Sequence, residues 1–306
     1  MRTHIINIGL IIVFLISCNL NIVAQQEAQY TQYMYNTSII NPAYTGSEET
    51  FKISLLHRSQ WLNVPGAPIT QTLNIEGILT ENLGVSLNIS KDAIGPSEDF
   101  IIDANIAYHI QLNAYGKLAL GLKAGMSKFS LDLTKGNLNP NQTLVTLNNI
   151  TKTFSRIGAG LYYYTDKTYL GISVPNLLET KYENLDLNIN YNFKNHYYII
   201  AGTIIDIGSN TRFKPALLAK IASGAPLSLD LSANFLLNEK FILGAAYRLD
   251  AAISGLVGFY ASKNMFIGYA YDYTTNFKNE YTGGTHEICI RINFSRSSIY
   301  KSPRFF

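Results

Sequence analysis

From residue 51 onward the chain alternates apolar and polar residues with a period of two over stretches of ten residues and more, which restricts it to long strands with two unlike faces. Leu83, Val85, Leu87 and Ile89 alternate with Gly84, Ser86, Asn88 and Ser90, and Ile102, Ala104, Ile106, Tyr108, Ile110 and Leu112 with Asp103, Asn105, Ala107, His109 and Gln111. The same alternation sets Leu118, Leu120, Leu122, Ala124 and Met126 against Ala119, Gly121, Lys123, Gly125 and Ser127, and Leu227, Leu229, Leu231 and Phe235 against Ser228, Asp230, Ser232 and Asn234. Such segments predict about fourteen strands, near 51–58, 70–78, 83–92, 99–112, 117–130, 154–165, 168–175, 195–206, 213–222, 226–237, 240–249, 251–262, 264–274 and 283–294. Their length is that of tilted membrane-spanning strands, not of the roughly five or six residues usual in soluble sheets.

The connections test this independently. An outer-membrane barrel keeps short turns on the periplasmic side and long loops outside. The connections after even-numbered strands are brief, at Asn113 to Gly116, Asp166-Lys167, Asn238-Glu239 and Lys263-Asn264, whereas Leu131 to Thr153 and Asn176 to Lys194 follow odd-numbered strands. A soluble sandwich has no reason to sort its loops in this way. The expectation is an all-β, transmembrane antiparallel β-barrel of about 14 strands in the bacterial outer membrane, spanning residues 51–294.

Composition agrees with lipid as the solvent. Of 306 residues 47% are hydrophobic and only 15% are charged, with 21 Tyr and 15 Phe; a soluble domain carries roughly 25% charge. The apolar residues are cut into pieces too short for a membrane helix after residue 20. Net charge is +3 with the basic residues scattered, so no stripe exists for nucleic acid. One strand face collects Leu, Ile, Val, Phe and Tyr, with tyrosines suited to the interfacial girdle. The other carries Gly, Ser, Asn and isolated charges, Asp103, Lys123, Asp230, Arg248, Asp272, Glu287 and Arg291, which need the water or partners of a lumen.

Residues 1–24 read as a signal peptide, a basic lead and an apolar run ending at Val23-Ala24 before Gln25. The rival reading is a lipobox at Leu15-Ile16-Ser17-Cys18, with a lipid on Cys18. Cleavage after Ala24 leaves Cys289 as the one cysteine, so no internal disulfide is expected. Residues 25–50 are expected to form an N-terminal periplasmic segment or plug, and 295–306 a C-terminal tail.

Motifs for chemistry are absent. His4, His57, His109, His196 and His286 stand in no metal-ligand spacing. Asp186, Asn188 and Asn190 imitate a calcium loop, but Tyr191 stands where the turn needs glycine. There is no phosphate-cradling loop and no Gly-x-Ser-x-Gly elbow. Gly158 and Gly160, inside a strand, are expected to relieve crowding on a curved wall. No cofactor, no metal and no enzymatic activity are expected.

The segments outside the barrel pattern are more specific. Gln32-Tyr33-Met34-x-Asn36 and Asn41-Pro42-Ala43-x-x-Gly46 mix aromatics and amides. Arg58-Ser59-Gln60-Trp61, Asp92 to Pro96, Gly283 to Ile288 and the tail Ser302 to Phe306 accompany them. Together they resemble the PorP/SprF family of Bacteroidota, outer-membrane proteins of the type IX secretion system, in order along the whole mature chain. Cys289 is a departure, standing where a plain hydrophobic residue is expected.

The resemblance implies a non-enzymatic role in exporting particular cargo proteins or holding them at the cell surface, such as large gliding adhesins with a C-terminal sorting domain. The implied partners are that cargo, outer-membrane lipid, periplasmic secretion components and, in some systems, a peptidoglycan-binding protein. Gln32, Tyr33, Met34, Asn36, Asn41, Pro42, Gly46 and Trp61 are the candidate partner-docking or structural residues. The alternative function is a diffusion channel or a transporter of small hydrophobic molecules.

Overall fold

The computed structural model describes residues 29–132, 149–184, 189–275 and 283–294. Its strands are β1 (Phe51–Ser59), β2 (Ile69–Thr80), β3 (Leu83–Ile94), β4 (Ser97–Gln111), β5 (Lys117–Leu131), β6 (Ile150–Tyr164), β7 (Thr168–Val174), β8 (Thr180–Asn184), β9 (Ile189–Phe193), β10 (His196–Thr203), β11 (Ile205–Ile207), β12 (Thr211–Ala222), β13 (Ser228–Leu237), β14 (Phe241–Arg248), β15 (Ala252–Ser262), β16 (Met265–Thr274) and β17 (Thr285–Phe294).

Fourteen of them close an antiparallel barrel in which neighbours in sequence are neighbours in space. β1 pairs with β17 from Phe51↔Phe294 to Ser59↔His286, and β10 pairs with both β7 and β12, so the wall closes on itself. β8 and β9 form a separate hairpin within the long connection from β7 to β10. The strand expected at 195–206 is interrupted at Ile204, whose side chain is buried and whose N–H turns to the Lys167 carbonyl; β11 then resumes along β12.

At one end of the barrel the turns are tight. Asn238 and Glu239 both adopt positive φ (52° and 53°), which matches the twist of a two-residue hairpin. The other end carries the Gln60–Pro68 loop and the longer connections. The barrel rule assigns the first end to the periplasm and the second to the outside.

Alternation along the strands sorts the two faces. In β4, Asp103, Asn105, Ala107 and His109 point inward and are buried, whereas Ile102, Ile106, Tyr108 and Ile110 stand exposed on the outside. Leu87, Leu120, Leu122, Leu161, Leu231 and Val257 continue this exposed apolar belt. An apolar exterior around a polar interior is stable only where hydrocarbon replaces water outside.

Residues 31–48 run through the interior as three short 3-10 turns, Tyr33–Tyr35, Thr37–Ile39 and Pro42–Tyr44, with nearly every residue buried. Thr31 meets Arg58, Asp272 and Glu287 near the long-loop end, and Thr45 meets His109 and Gly84 near the short-turn end. The chain therefore descends through the lumen and turns back into β1. The described part of residues 25–50 thus lies inside the barrel, and only its last residues reach the short-turn end. The physical reason is hydrogen bonding: the inward wall offers donors and acceptors to a backbone that forms no strand of its own.

Candidate functional site

The functional candidate is the occupied lumen. At its long-loop end, Glu287 of β17 holds the start of the plug: one carboxylate oxygen accepts from the Gln32 N–H at 2.7 Å and the other from the Thr31 N–H at 3.0 Å. The Gln32 side chain returns to the Glu287 carbonyl at 3.1 Å. Arg58 of β1 donates to Glu287 at 2.9 Å and pairs with Asp272 at 2.8 Å, while the Thr31 hydroxyl donates to Asp272 at 2.7 Å. Arg248 forks onto Asp230 on adjacent strands, with contacts of 2.8 to 3.0 Å. Each of these buried charges thus has an opposite charge within reach, the condition for keeping it out of water.

In the middle, wall side chains take up the plug's carbonyls. Asn105 Nδ2 donates to the Ser38 carbonyl at 2.9 Å, Lys123 Nζ to that of Ile39 at 2.6 Å and Ser173 Oγ to that of Ile40 at 2.7 Å. Asp103 balances Lys123 at 3.4 Å and Arg156 at 3.1 Å. Tyr33, Met34 and Tyr35 supply the apolar filling, with the Tyr35 ring 4.5 Å from that of Phe266 and the Arg291 guanidinium 5.7 Å from the Tyr35 centroid.

Nearer the periplasmic end, Asn41 caps the Pro42–Tyr44 turn by accepting from the Ala43 N–H at 3.0 Å and donates its amide to the Leu161 carbonyl at 3.0 Å. Proline fits the first position of the turn, where no N–H is needed. The wall opposite is glycine. A Cβ on Gly121 would overlap the Ala43 backbone, one on Gly160 the Asn41 side chain and one on Gly84 the Thr45 carbonyl. Gly160, expected with Gly158 to relieve crowding on a curved wall, makes room for the plug as Gly121 and Gly84 do; Gly158 faces the Pro175 carbonyl. Gly46 adopts φ +78° against Gly84, a conformation and an approach that a side chain would prevent.

Below this, His109 Nε2 donates to the Thr45 carbonyl at 2.9 Å, and its Nδ1 is hydrogen-bonded to the Tyr164 hydroxyl at 2.8 Å. Glu48 contacts Lys52, the Tyr44 hydroxyl at 2.9 Å and Arg291 at 3.8 Å. Burial works to raise the Glu48 carboxyl, but Lys52 and Arg291 outweigh it and hold the group down at about 2.

Gln32, Tyr33, Met34, Asn36, Asn41 and Pro42 all lie inside the barrel and are buried, as is the Gly46 backbone. Trp61 stands apart, half-buried in the Gln60–Pro68 loop with φ 45° and its N–H 3.4 Å from Thr285 Oγ1. The charges Asp103, Lys123, Asp230, Arg248, Asp272, Glu287 and Arg291 are all buried on the inward face, in the clusters above. Cys289 is also buried on the inward side of β17. Among the described residues no group of His, Cys, Asp and Glu has the arrangement to hold a metal. Residues 1–28, most of the Leu131 to Thr153 connection and the tail 295–306 lie outside the described residues.

The sequence assigned no site role to Thr31, Glu48, Lys52, Arg58, Glu76 and His109, although Arg58 stands in one of the family-like segments and His109 among the histidines weighed as metal ligands. Lys52, Arg58 and Glu76 carry the same inward parity that marks Asp103 in β4, so the signal was present in β1 and β2. Thr31 and Glu48 precede the strands and have no periodic signal.

The family model described as "Type IX secretion system membrane protein PorP/SprF" matches residues 22–292. No curated protein matches the sequence. Among solved structures, the Ralstonia pickettii toluene transporter TbuX is similar over 83% of this chain and 92% of its own, with a TM-score of 0.50 at 11% identity. Acinetobacter baumannii outer membrane protein Omp33 has a TM-score of 0.49 at 9% identity, over 81% of this chain and 100% of its own. Likeness at such identity to TbuX shows the fold alone, that of an outer-membrane β-barrel.

Proposed function

The chain belongs to the PorP/SprF family of type IX secretion system membrane proteins, and from that premise we propose that it supports the secretion or cell-surface attachment of particular cargo proteins, such as large adhesins with a C-terminal sorting domain. The occupied lumen carries this reading over the alternative. A diffusion channel needs a continuous polar path, and here residues 31–48 fill the interior and are tied to the wall by Glu287, Lys123, Ser173 and His109. The toluene transporter TbuX supports the channel reading only through its fold.

A plugged barrel still offers two rims. The long-loop end suits cargo held outside, and the periplasmic end suits secretion components, including a peptidoglycan-binding protein. The role is non-enzymatic, and the motif residues from Gln32 to Gly46 serve it by setting the shape of the lumen and its mouths.

The test compares a deletion strain with one restored by the full chain. Surface labelling of the secreted adhesins should show at least one cargo lost from the surface on deletion, while purified protein in liposomes should give no swelling with small sugars. Unchanged display of every type IX cargo together with brisk swelling would replace this reading with the channel.

A further inference from the structure

On the lipid side of the wall, one row of residues breaks the apolar belt. The ladder pairs His57 of β1 with Gln71 of β2, Gln71 with Lys91 of β3, Lys91 with Phe100 of β4 and Phe100 with Lys128 of β5. All five side chains point outward, near the end that bears the long loops. Among the described residues, Lys91 and Lys128 are the only lysines or arginines on the outward face of the wall strands, and they stand at the same level on either side of Phe100. Two strand spacings separate their backbones by about 10 Å, a gap that two long flexible side chains close over the ring between them.

Toward mid-membrane from this row, the wall is hollowed by a concavity of about 460 Å³ with Leu55, Leu73, Ile89, Phe100, Ile288 and Ile290 in its lining. His57, Gln71 and Lys91 line it too. The histidine is held by Gln71 at 3.3 Å and Ser59 at 3.1 Å, so its ring edge is polar toward the lipid.

We propose that the outward face of β1–β5 and β17 is a binding site for a phosphate-bearing lipid of the outer leaflet. The phosphate sits between Lys91 and Lys128, and an acyl chain lies in the concavity below. The site is independent of the cargo reading. A convex barrel wall passes acyl chains indifferently; a hollow of ligand size beneath two ammonium groups selects a chain and an anion together. Lys91 already pairs with Glu98 at 2.8 Å, both side chains 44% exposed. An exposed pair of this kind is weak and exchangeable, so Glu98 competes with the phosphate.

The test reconstitutes the full chain in phosphatidylcholine nanodiscs doped with diphosphorylated lipid A and reads bound lipid by native mass spectrometry. One phosphorylated lipid should be retained, and Lys91→Gln with Lys128→Gln should reduce retention about tenfold. Glu98→Gln should raise it, and Leu73→Trp, which fills the hollow, should lower it with both lysines intact. Heat-modifiable gel mobility establishes that each variant is a folded barrel. Equal retention by the wild type and the double lysine variant overturns the proposal. So does equal retention of dephosphorylated lipid A, or displacement of the lipid by inorganic phosphate alone.

Discussion

Asn41 fills the space that a side chain on Gly160 would need, and its Oδ1 would overlap that residue's Cβ. The relationship ties the Asn-Pro turn to glycines spaced along different strands, since Gly121 stands in the same way under Ala43 and Gly84 under Thr45. Plug and wall are one packing unit, and substitution on either side tests it.

Gly121→Ala places a Cβ into plug backbone that has no rotamer to yield, at a cost of about 1–3 kcal/mol typical of overpacking. The barrel closes without this contact, so the expected outcome is a folded barrel with a loosened plug, seen as protease cleavage within residues 31–48. Gly255→Ala is the control, because nothing lies within 4 Å of a Cβ there. Equal protease resistance of both variants would mean that the plug is not seated on the glycines.

Glu287→Met removes the acceptor for two plug N–H groups, and Arg58 keeps Asp272 as its carboxylate partner. Arg58→Met instead takes the shared guanidinium from two buried carboxylates, Glu287 and Asp272, and stranding buried charge in this way costs about 3–5 kcal/mol. Arg58→Met should therefore unfold at a lower temperature than Glu287→Met, measured by the temperature at which heat-modifiable mobility is lost. The reverse order would show that the two carboxylates are satisfied without Arg58.

The sign of the pH response follows from Glu48. Its carboxyl drops from 4.5 to about 2 in the folded chain, so its contribution is complete above pH 4.5 and disappears as the pH falls toward 2. Protease accessibility of the plug should rise across that window, and Glu48→Gln should flatten the part of the rise that belongs to this group. An identical profile in Glu48→Gln would assign the acid response to other carboxylates.

Period-two alternation contained the barrel. Each of the fourteen expected strands has an observed counterpart, and the inward parity of Asp103, Lys123 and Asp230 was readable because one slip of register would bury their charges in lipid. What fills the lumen was not readable. Alternation reports which face avoids hydrocarbon, and water and a peptide segment satisfy that face equally well. Gly160 thus looked like a curvature device and Gly121 like one more small residue of the polar face, and residues 31–48, with no period of their own, gave no sign of running the height of the barrel.

Asn88 shows the consequence. Leu87→Arg puts a charge on the lipid face, at about 2–4 kcal/mol near the midplane, and should block assembly. A watery lumen would accept Asn88→Arg freely, but Asn88 is buried, accepts from Asn74 at 2.8 Å and lies beside Ser38 of the plug at 3.5 Å. The arginine should leave barrel yield intact and expose the plug to protease. Equal yields for both variants would overturn the facing of β3.

Tyr33→Ala with Met34→Ala tests whether the plug serves the cargo. Both side chains are buried between plug and wall, and Asn234 donates its amide to the Met34 sulfur at 3.7 Å. Truncating two large buried groups costs several kcal/mol, about 2–5 for the methionine alone, and the loss falls on the plug because the ladder hydrogen bonds of the wall do not involve it. The barrel should remain at normal abundance, the plug should become protease-sensitive, and the cargo adhesin should stay unexported or be released into the medium. Barrel abundance, plug cleavage and surface labelling of the cargo are measured on the same cells. Normal cargo display with a cleavable plug would separate the plug from secretion and leave it an element of barrel stability. Loss of the barrel itself would show that the plug is required for closure, and cargo display would then be read from Gly121→Ala, which loosens the plug from the wall side.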